Sequence, residues 1–179
     1  MMYRCLIANR GEIAVRIIRA CRELNIETVA IYAKGDENSL HVSLADQAIC
    51  IGEANPLDSY LNIDRIISAA KVTESNAIHP GYGFLSESTN FAKAVEDNHI
   101  HFIGPSKTTM EMMGDKITAR QTVKQAGVPV IPGSNDAVQS VDEIKLLAKE
   151  IGFPVVLKAA SGGGGKGIRI VKEASQLDQ

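Results

Sequence analysis

A glycine-rich segment near the end of this 179-residue chain carries the strongest chemical signal in the sequence. The segment reads Ser161, Gly162, Gly163, Gly164, Gly165, Lys166 and Gly167. Consecutive glycines are costly to order, and they are used where the backbone must approach a ligand closely, with N–H groups turned toward phosphate oxygens. Lys158 and Arg169 add positive charge on either side. We interpret the segment as a phosphate-binding loop; the alternative is a flexible turn with solvated lysines.

Two better-known nucleotide motifs do not fit. A P-loop needs a glycine six residues before its lysine and Ser or Thr directly after it, but these positions hold Ala160 and Gly167. A dinucleotide fingerprint needs GxGxxG after the first strand, where this chain has the run 9–13, NRGEI. The first unit can therefore look Rossmann-like without binding a dinucleotide.

Two lysines could serve the same anionic ligand. Lys158 ends an apolar run, 155–157, so its ammonium group must reach either solvent or an anion. Lys116 stands at the predicted start of a helix, where N–H groups and the ammonium could bind a phosphate together. Taken alone, Lys116 would be an ordinary surface residue.

The elements around these residues alternate between strands and helices over residues 1–114. Predicted strands are 5–8, 27–32, 48–51, 77–79 and 101–103. Predicted helices are 13–24, 40–45, one that starts at Asn62, and one around 91–95. This order predicts an α/β fold with a Rossmann-like, doubly wound, mostly parallel sheet. Over 115–179 the pattern predicts helices 116–126 and 141–150, then a hairpin around the glycines.

Composition excludes several classes. The net charge of −2 gives no basic surface for nucleic acid. The three cysteines, Cys5, Cys21 and Cys50, are odd in number and form no CxxC pair, so we expect buried thiols rather than disulfides or a zinc site. No apolar run reaches the roughly 18 residues of a membrane span. We expect no membrane association and a cytoplasmic location.

A set of segments then resembles the opening of biotin carboxylases, in the same order and along essentially the whole chain. The segments are 7–14 (IANRGEIA), 16–20 (RIIRA), 77–87 (AIHPGYGFLSE), 102–105 (FIGP), 113–116 (MGDK), 127–129 (GVP), 132–134 (PGS) and 158–167 (KAASGGGGKG). Biotin carboxylases belong to the ATP-grasp superfamily. The resemblance implies an N-terminal pre-ATP-grasp domain over 1–114 and the beginning of an ATP-grasp domain, with part of its Gly-rich hairpin lid, over 115–179.

The resemblance also implies roles for individual residues. Lys116 and Lys158 would contact ATP. The lid would contain Gly164 and Gly165, together with Gly162, Gly163 and Lys166. Tyr82, Gly83 and Glu87 would face biotin; the alternative is a tight turn in which Glu87 caps the next helix. Arg19 and Glu23 would lie at a homodimer contact; alone they would be ordinary charges on a helix surface.

By the same resemblance the reaction is the ATP- and bicarbonate-dependent carboxylation of biotin, with Mg²⁺ and a biotin carboxyl carrier protein, ahead of a carboxyltransferase such as that of acetyl-CoA carboxylase in fatty acid biosynthesis. The family's module is longer than this chain and carries its catalytic residues and Mg²⁺ ligands further on. We therefore expect an incomplete ligase that is inactive alone. The alternatives are another ATP-grasp ligase, such as a carbamoyl-phosphate synthase, and a non-catalytic dimerisation or regulatory domain.

Overall fold

The computed structural model describes residues 3–114, 116–134, 136–159 and 167–178. The chain divides into two compact units, Met1–Gly114 and Asp115–Gln179. In the first unit the strands are β1 (Arg4–Ile7), β2 (Glu27–Ala33), β3 (Gln47–Gly52), β4 (Ala77–His79) and β5 (His101–Phe102). Its helices are α1 (Gly11–Glu23), α2 (Leu40–Leu44), α3 (Ile63–Val72), α4 (Thr89–Asp97) and α5 (Lys107–Gly114), with a short 3₁₀ helix over Pro56–Asp58.

The five strands form one parallel sheet in the order β3-β2-β1-β4-β5. The chain builds outward from β1 to β3 and then returns to the other side of β1, so the winding direction reverses between β1 and β4. This is the arrangement expected from alternating strands and helices. It confirms the predicted doubly wound α/β fold.

Alternating residues of the strands supply two apolar cores, one on each face of the sheet. Leu6 packs in a core with Ile66 of α3 and Phe91 of α4. Its neighbours Cys5 and Ile7 point the other way, into a core with the buried face of α1. Burial on both faces is typical of a parallel sheet and explains the continuous apolar run of β1.

One helix cap that was predicted from the sequence is confirmed. Asn62 accepts a hydrogen bond from the Arg65 N–H, as predicted, and so begins α3. No helix in the described part of the chain is both long and apolar enough to span a membrane.

The second unit contains α6 (Lys116–Gln125), α7 (Val141–Ile151), β6 (Val155–Lys158), β7 (Ile168–Val171) and a 3₁₀ helix over Ala174–Asp178. β6 and β7 pair antiparallel, with Val155 opposite Val171 and Lys158 opposite Ile168. This pairing agrees with the predicted hairpin, whose glycine segment lies outside the described residues. Its described core is small and consists of Ala148, Val171 and Leu177, with partly buried neighbours.

Two of the predictions about these elements were wrong, and one helix was not predicted. Cys50 is exposed, because it lies on the edge strand β3 and points away from the core, whereas Cys5 and Cys21 are buried as expected. Leu24 does not continue the apolar face of α1: the helix ends at Glu23 and Leu24 is 68% exposed. Helix α5 was not predicted, since its sequence KTTMEMMG has no sustained apolar period and only Met110 is buried.

Candidate functional site

The candidate site of the first unit lies where the sheet reverses its winding, at the carboxyl ends of β1 and β4. In open α/β sheets this position forms a crevice that is commonly used for ligands. The connection 8–10 leaves β1, and the longer segment 80–88 leaves β4. The segment 82–87 contains the residues that we assigned to the biotin side.

Asn9 joins these two connections. Its side chain is buried, and its Nδ2 donates to the carbonyl oxygens of Pro80 at 2.7 Å and Tyr82 at 2.8 Å. Its Oδ1 accepts from the Arg10 N–H at 2.9 Å. One amide therefore fixes the backbone after β4 against the end of β1, and a residue without donors could not replace it.

The segment after β4 has an unusual backbone. Gly81, Gly83 and Phe84 all have positive φ angles, of 65°, 69° and 42° respectively. Glycine adopts this left-handed conformation readily, but a bulky aromatic residue rarely does. Phe84 must therefore be held there by its surroundings, and strained residues of this kind tend to occur at functional sites.

Tyr82 and Glu87 both present exposed side chains from this segment. The Tyr82 hydroxyl donates to Oε1 of Glu12, in the first turn of α1. That hydrogen bond raises the pKa of Tyr82, because ionisation would place two negative charges together. Glu87 does not cap the next helix: the cap of α4 is Ser88, whose Oγ accepts from the Phe91 N–H. The alternative role considered for Glu87 was therefore wrong.

His79 closes β4 beside the same turn. Its Nδ1 accepts a hydrogen bond from the Gly81 N–H at 3.0 Å, which places its proton on Nε2. Burial lowers the pKa of His79, so the ring is held neutral. A neutral acceptor suits the tight turn at Gly81.

A polar and aromatic cluster supports the segment from the side of β2. The Phe84 ring stacks on the Tyr60 ring with centroids 5.2 Å apart and an interplanar angle of 5°. The Arg10 guanidinium lies over both rings, 5.3 Å from the Tyr60 centroid and 5.8 Å from that of Phe84. Asp36 completes the cluster, with Oδ2 accepting from Tyr60 Oη at 2.6 Å and pairing with Arg10 at 3.3 Å.

The hydroxyl of Tyr60 is also tied to the backbone. It accepts from the Ala33 N–H at 3.0 Å, at the end of β2, and its ring is fully buried. Burial and then the Asp36 carboxylate raise the pKa of Tyr60, so it acts as a neutral donor and acceptor. The aromatic ring under Phe84 is therefore rigidly placed.

Arg19 and Glu23, the predicted dimer contact, lie on the exposed side of α1. With Glu12, Arg16 and Leu40 they line a surface groove of about 730 Å³ between α1 and α2. Their exposure is compatible with either a dimer contact or a solvated helix surface.

In the second unit, Lys158 ends β6 with an exposed side chain and forms no ion pair with any described residue. Ala159 N–H donates to the Gly167 carbonyl at 3.0 Å, which continues the hairpin by one step. Lys158 shares a face of the hairpin with Ile168, while Arg169, opposite Leu157, lies on the other face and donates to the Gln176 carbonyl. Lys158 is therefore available to an anion and Arg169 has a structural partner.

The rest of the predicted ATP site is described only in part. Lys116 is the first residue of α6, but its side chain lies outside the described part of the structure. Gly162, Gly163, Gly164, Gly165 and Lys166 also lie outside the described residues. Among the residues that are described, no group of three or more His, Cys, Asp or Glu side chains could hold a metal ion.

The structure thus brings Tyr82, Gly83 and Glu87 onto one connection, next to Asn9 and Arg10. From the sequence alone, Asn9, Arg10 and Phe84 were members of longer motifs and had no predicted role of their own. Asn9 and Arg10 could have been singled out, because they are two polar residues directly after a buried strand. No spacing rule connects Arg10 with Asp36 or Tyr60, which are brought together only by the order of the sheet.

Comparisons with known proteins agree with both units. Residues 1–110 match the family described as biotin carboxylase, N-terminal domain. Residues 115–179 match the family described as carbamoyl-phosphate synthase L chain, ATP binding domain. Biotin carboxylase 1 of Bacillus subtilis is 55% identical over 177 residues, which are 99% of this chain and 39% of that protein.

Solved structures give the same result. The biotin carboxylase of Campylobacter jejuni, in a β-γ-ATP complex, superposes with a TM-score of 0.90 at 49% identity over 99% of this chain and 40% of that one. The biotin carboxylase domain dimer of Hydrogenobacter thermophilus 2-oxoglutarate carboxylase, with MgADP, ADP and bicarbonate, has a TM-score of 0.87 at 52% identity over 99% of this chain and 39% of that one. The chain spans about two fifths of the length of the relatives that it matches.

Proposed function

Because this chain belongs to the biotin carboxylase family, we propose that it acts in the ATP- and bicarbonate-dependent carboxylation of biotin held on a carrier protein. The observation that carries the proposal is the pair of family matches, over 1–110 and 115–179, in consecutive order along one chain. The second family is named for carbamoyl-phosphate synthase, which also uses an ATP-binding domain. The match of 1–110 favours the biotin enzyme over that alternative.

ATP is the substrate that the second unit would bind. It supplies the phosphoryl group that activates bicarbonate. The exposed ammonium of Lys158 suits a phosphate, because no described acidic side chain neutralises it and it stands beside the glycine segment. In the proposal Lys116 is the second ATP-contacting lysine, and Gly162, Gly163, Gly164, Gly165 and Lys166 form part of a lid. Mg²⁺ would be brought by ATP, with ligands other than the described residues of this chain.

The first unit would face biotin through Tyr82, Gly83 and Glu87. Their position at the carboxyl end of β4 supports this assignment, since the segment is held rigidly yet presents two exposed polar side chains. A bicyclic urea such as biotin needs both hydrogen-bond donors and acceptors from its site. The hydroxyl of Tyr82 and the exposed backbone of Gly83 could provide them.

The proposed partners are a biotin carboxyl carrier protein or domain, a carboxyltransferase and a second copy of this chain. The Hydrogenobacter thermophilus relative is a dimer of its biotin carboxylase domain. Arg19 and Glu23, both exposed on α1, are the proposed contact for such a dimer. The predicted cytoplasmic location stays a prediction.

Binding of MgATP tests the part of the proposal that belongs to the hairpin. In an NMR titration of the chain, we expect MgATP to shift backbone amide signals at 156–159 and 167–170. Lys158→Ala should weaken binding by about tenfold, as expected for the loss of one charge-assisted contact of about 1.5 kcal/mol. Lys149→Ala, which removes an exposed lysine of α7, is the matched control and should bind like the parent.

Equal affinity in the Lys158→Ala and Lys149→Ala variants would contradict the assignment of Lys158. The reaction itself is tested by fixation of labelled bicarbonate that requires both MgATP and biotin, in an assay supplemented with the C-terminal portion of the Bacillus subtilis relative. We expect Lys158→Ala to abolish that fixation and Lys149→Ala to retain it.

A further inference from the structure

Phe84 has a backbone conformation that is unusual for a bulky residue. Its φ of 42° lies in the region that bulky residues avoid. One hydrogen bond of its turn, from the Ser86 N–H to the Gly83 carbonyl at 2.9 Å, spans Phe84, and the next, from the Ser88 N–H to the Leu85 carbonyl at 3.0 Å, follows it. The turn restrains the backbone at Phe84 from within the segment, and a second restraint comes from outside it.

That restraint is the stack of Phe84 on Tyr60, covered by the Arg10 guanidinium. The two rings are nearly parallel, with centroids 5.2 Å apart, and the Arg10 guanidinium lies within about 6 Å of both centroids. Ring stacking and cation–π attraction therefore both favour this arrangement. Tyr60 is in turn fixed by Asp36 and by the Ala33 N–H, and Asp36 also pairs with Arg10. Each member of the group thus holds at least one other.

We infer that Arg10, Asp36, Tyr60 and Phe84 form a clamp that fixes the backbone of the Tyr82–Glu87 segment, so that these four are positioning residues for whatever the segment binds. Arg10 follows β1, Asp36 follows β2, and Tyr60 lies between the 3₁₀ helix and α3. Its members do not include the exposed side chains assigned to ligand contact. For biotin as the ligand, the inference rests on the proposed function.

Amide hydrogen exchange of the intact chain tests the clamp without any ligand. We expect Phe84→Leu, which keeps an apolar side chain but removes the stack, to raise exchange at the Ser86 and Ser88 amides by about tenfold. Arg10→Met should raise the same two rates several-fold. Phe84→Tyr retains the ring and should leave them as in the parent. Exchange in the middle of α3 reports on global stability and should change little.

Two results would overturn the clamp: unchanged exchange at Ser86 and Ser88 in Phe84→Leu, or an equal increase throughout the first unit. A biotin titration, followed by amide signals of 82–87, then tests the consequence. We expect affinity to fall about tenfold in Phe84→Leu and to recover in Phe84→Tyr. Parental affinity in Phe84→Leu, despite faster exchange, would overturn the positioning role.

The two measurements separate the inference from the proposed function. If free biotin leaves the parent's 82–87 signals unshifted, the assignment of this segment to biotin fails. The exchange experiment still decides whether the clamp exists.

Discussion

Asn9 shows how one side chain can hold two connections of a parallel sheet together. Both of its amide hydrogens are used on carbonyl oxygens of the segment after β4, and its oxygen caps the chain after β1. Backbone carbonyls in this position have no strand or helix partner of their own. A substitution at Asn9 therefore affects three backbone groups at once.

We expect Asn9→Ala to lower the free energy of unfolding by about 2–4 kcal/mol, because two carbonyl oxygens lose their donor in a buried place. Asn9→Asp should be less stable still at neutral pH, since a carboxylate would face those oxygens. Urea denaturation measures both. Asn98→Ala, which removes a single bond to the Ala94 carbonyl, is the control and should cost less. Equal losses for Asn9→Ala and Asn98→Ala would contradict the double role.

The buried ring of His41 makes the stability of the folded chain depend on pH. Its ring is buried, its Nε2 lies 3.2 Å from the Ile31 carbonyl, and its Nδ1 has no hydrogen-bond partner among the described residues. Burial lowers the pKa of His41 in the folded chain. His79 has its pKa lowered by burial as well. Below the ordinary histidine pKa of about 6.5 the unfolded chain therefore binds more protons, and stability must fall as pH falls.

We expect the unfolding free energy to decrease from pH 7 toward pH 5. His41→Gln should make that decrease shallower, since only His79 of the pair remains. Denaturant midpoints across this range give the slope, and His101→Gln, at an exposed position, is the control. A slope that is the same with and without His41 would show that this ring does not contribute.

The start of α4 tests which of two adjacent residues is the cap. Ser88 Oγ accepts from the Phe91 N–H, while Glu87 is exposed one residue earlier. Ser88→Ala should therefore lower the unfolding free energy by about 1 kcal/mol, a typical loss for a helix cap. Glu87→Ala should change it by less than about 0.5 kcal/mol, as at other exposed positions. Thermal or urea unfolding measures the loss of unfolding free energy in each variant. A larger loss for Glu87→Ala than for Ser88→Ala would contradict the structure.

Gly81 and Gly83 share a left-handed backbone conformation but differ in the space around them. A Cβ at Gly83 would have nothing within 4 Å, but one at Gly81 would lie 3.0 Å from Nδ2 of Asn9 and Cγ1 of Ile13. We expect Gly83→Ala to cost about 1–2 kcal/mol for its left-handed backbone alone. Gly81→Ala should cost more, because Asn9 is held by its own hydrogen bonds and cannot move aside. Comparable losses in urea unfolding would argue against this close approach.

Much of this architecture could be predicted, for identifiable reasons. Buried runs such as 5–7 and 77–79 have few structural alternatives, and Asn62 is a direct helix-start signal. The conformation of Phe84 could not be predicted, because the rings and charges that hold it come from three other parts of the chain. The burial of Cys50 was predicted wrongly for a similar reason. Its exposure depends on the position of β3 at the edge of the sheet, which the local sequence does not reveal.

The two units differ greatly in how much apolar surface they bury. In the first, both faces of the sheet are covered and several large side chains, including Leu6, Ile78 and Phe91, are fully buried. In the second, the described core is limited to three buried residues, and Ile168 and Ile170 are 47% and 62% exposed. Stability follows buried apolar area, so the second unit should open at a lower free energy.

This difference predicts two classes of amide exchange, slow in β1 and β2 and faster in β6 and β7. Val171 is fully buried in the small core, so Val171→Ala should remove about 2 kcal/mol there and speed exchange in the hairpin by roughly thirtyfold. Phe91→Ala should instead accelerate exchange within 3–114. Mass-spectrometric exchange resolves both units in one experiment. If either variant accelerated both units equally, the chain would open as a single cooperative block, and the lower stability of the hairpin could not be a property of its own small core.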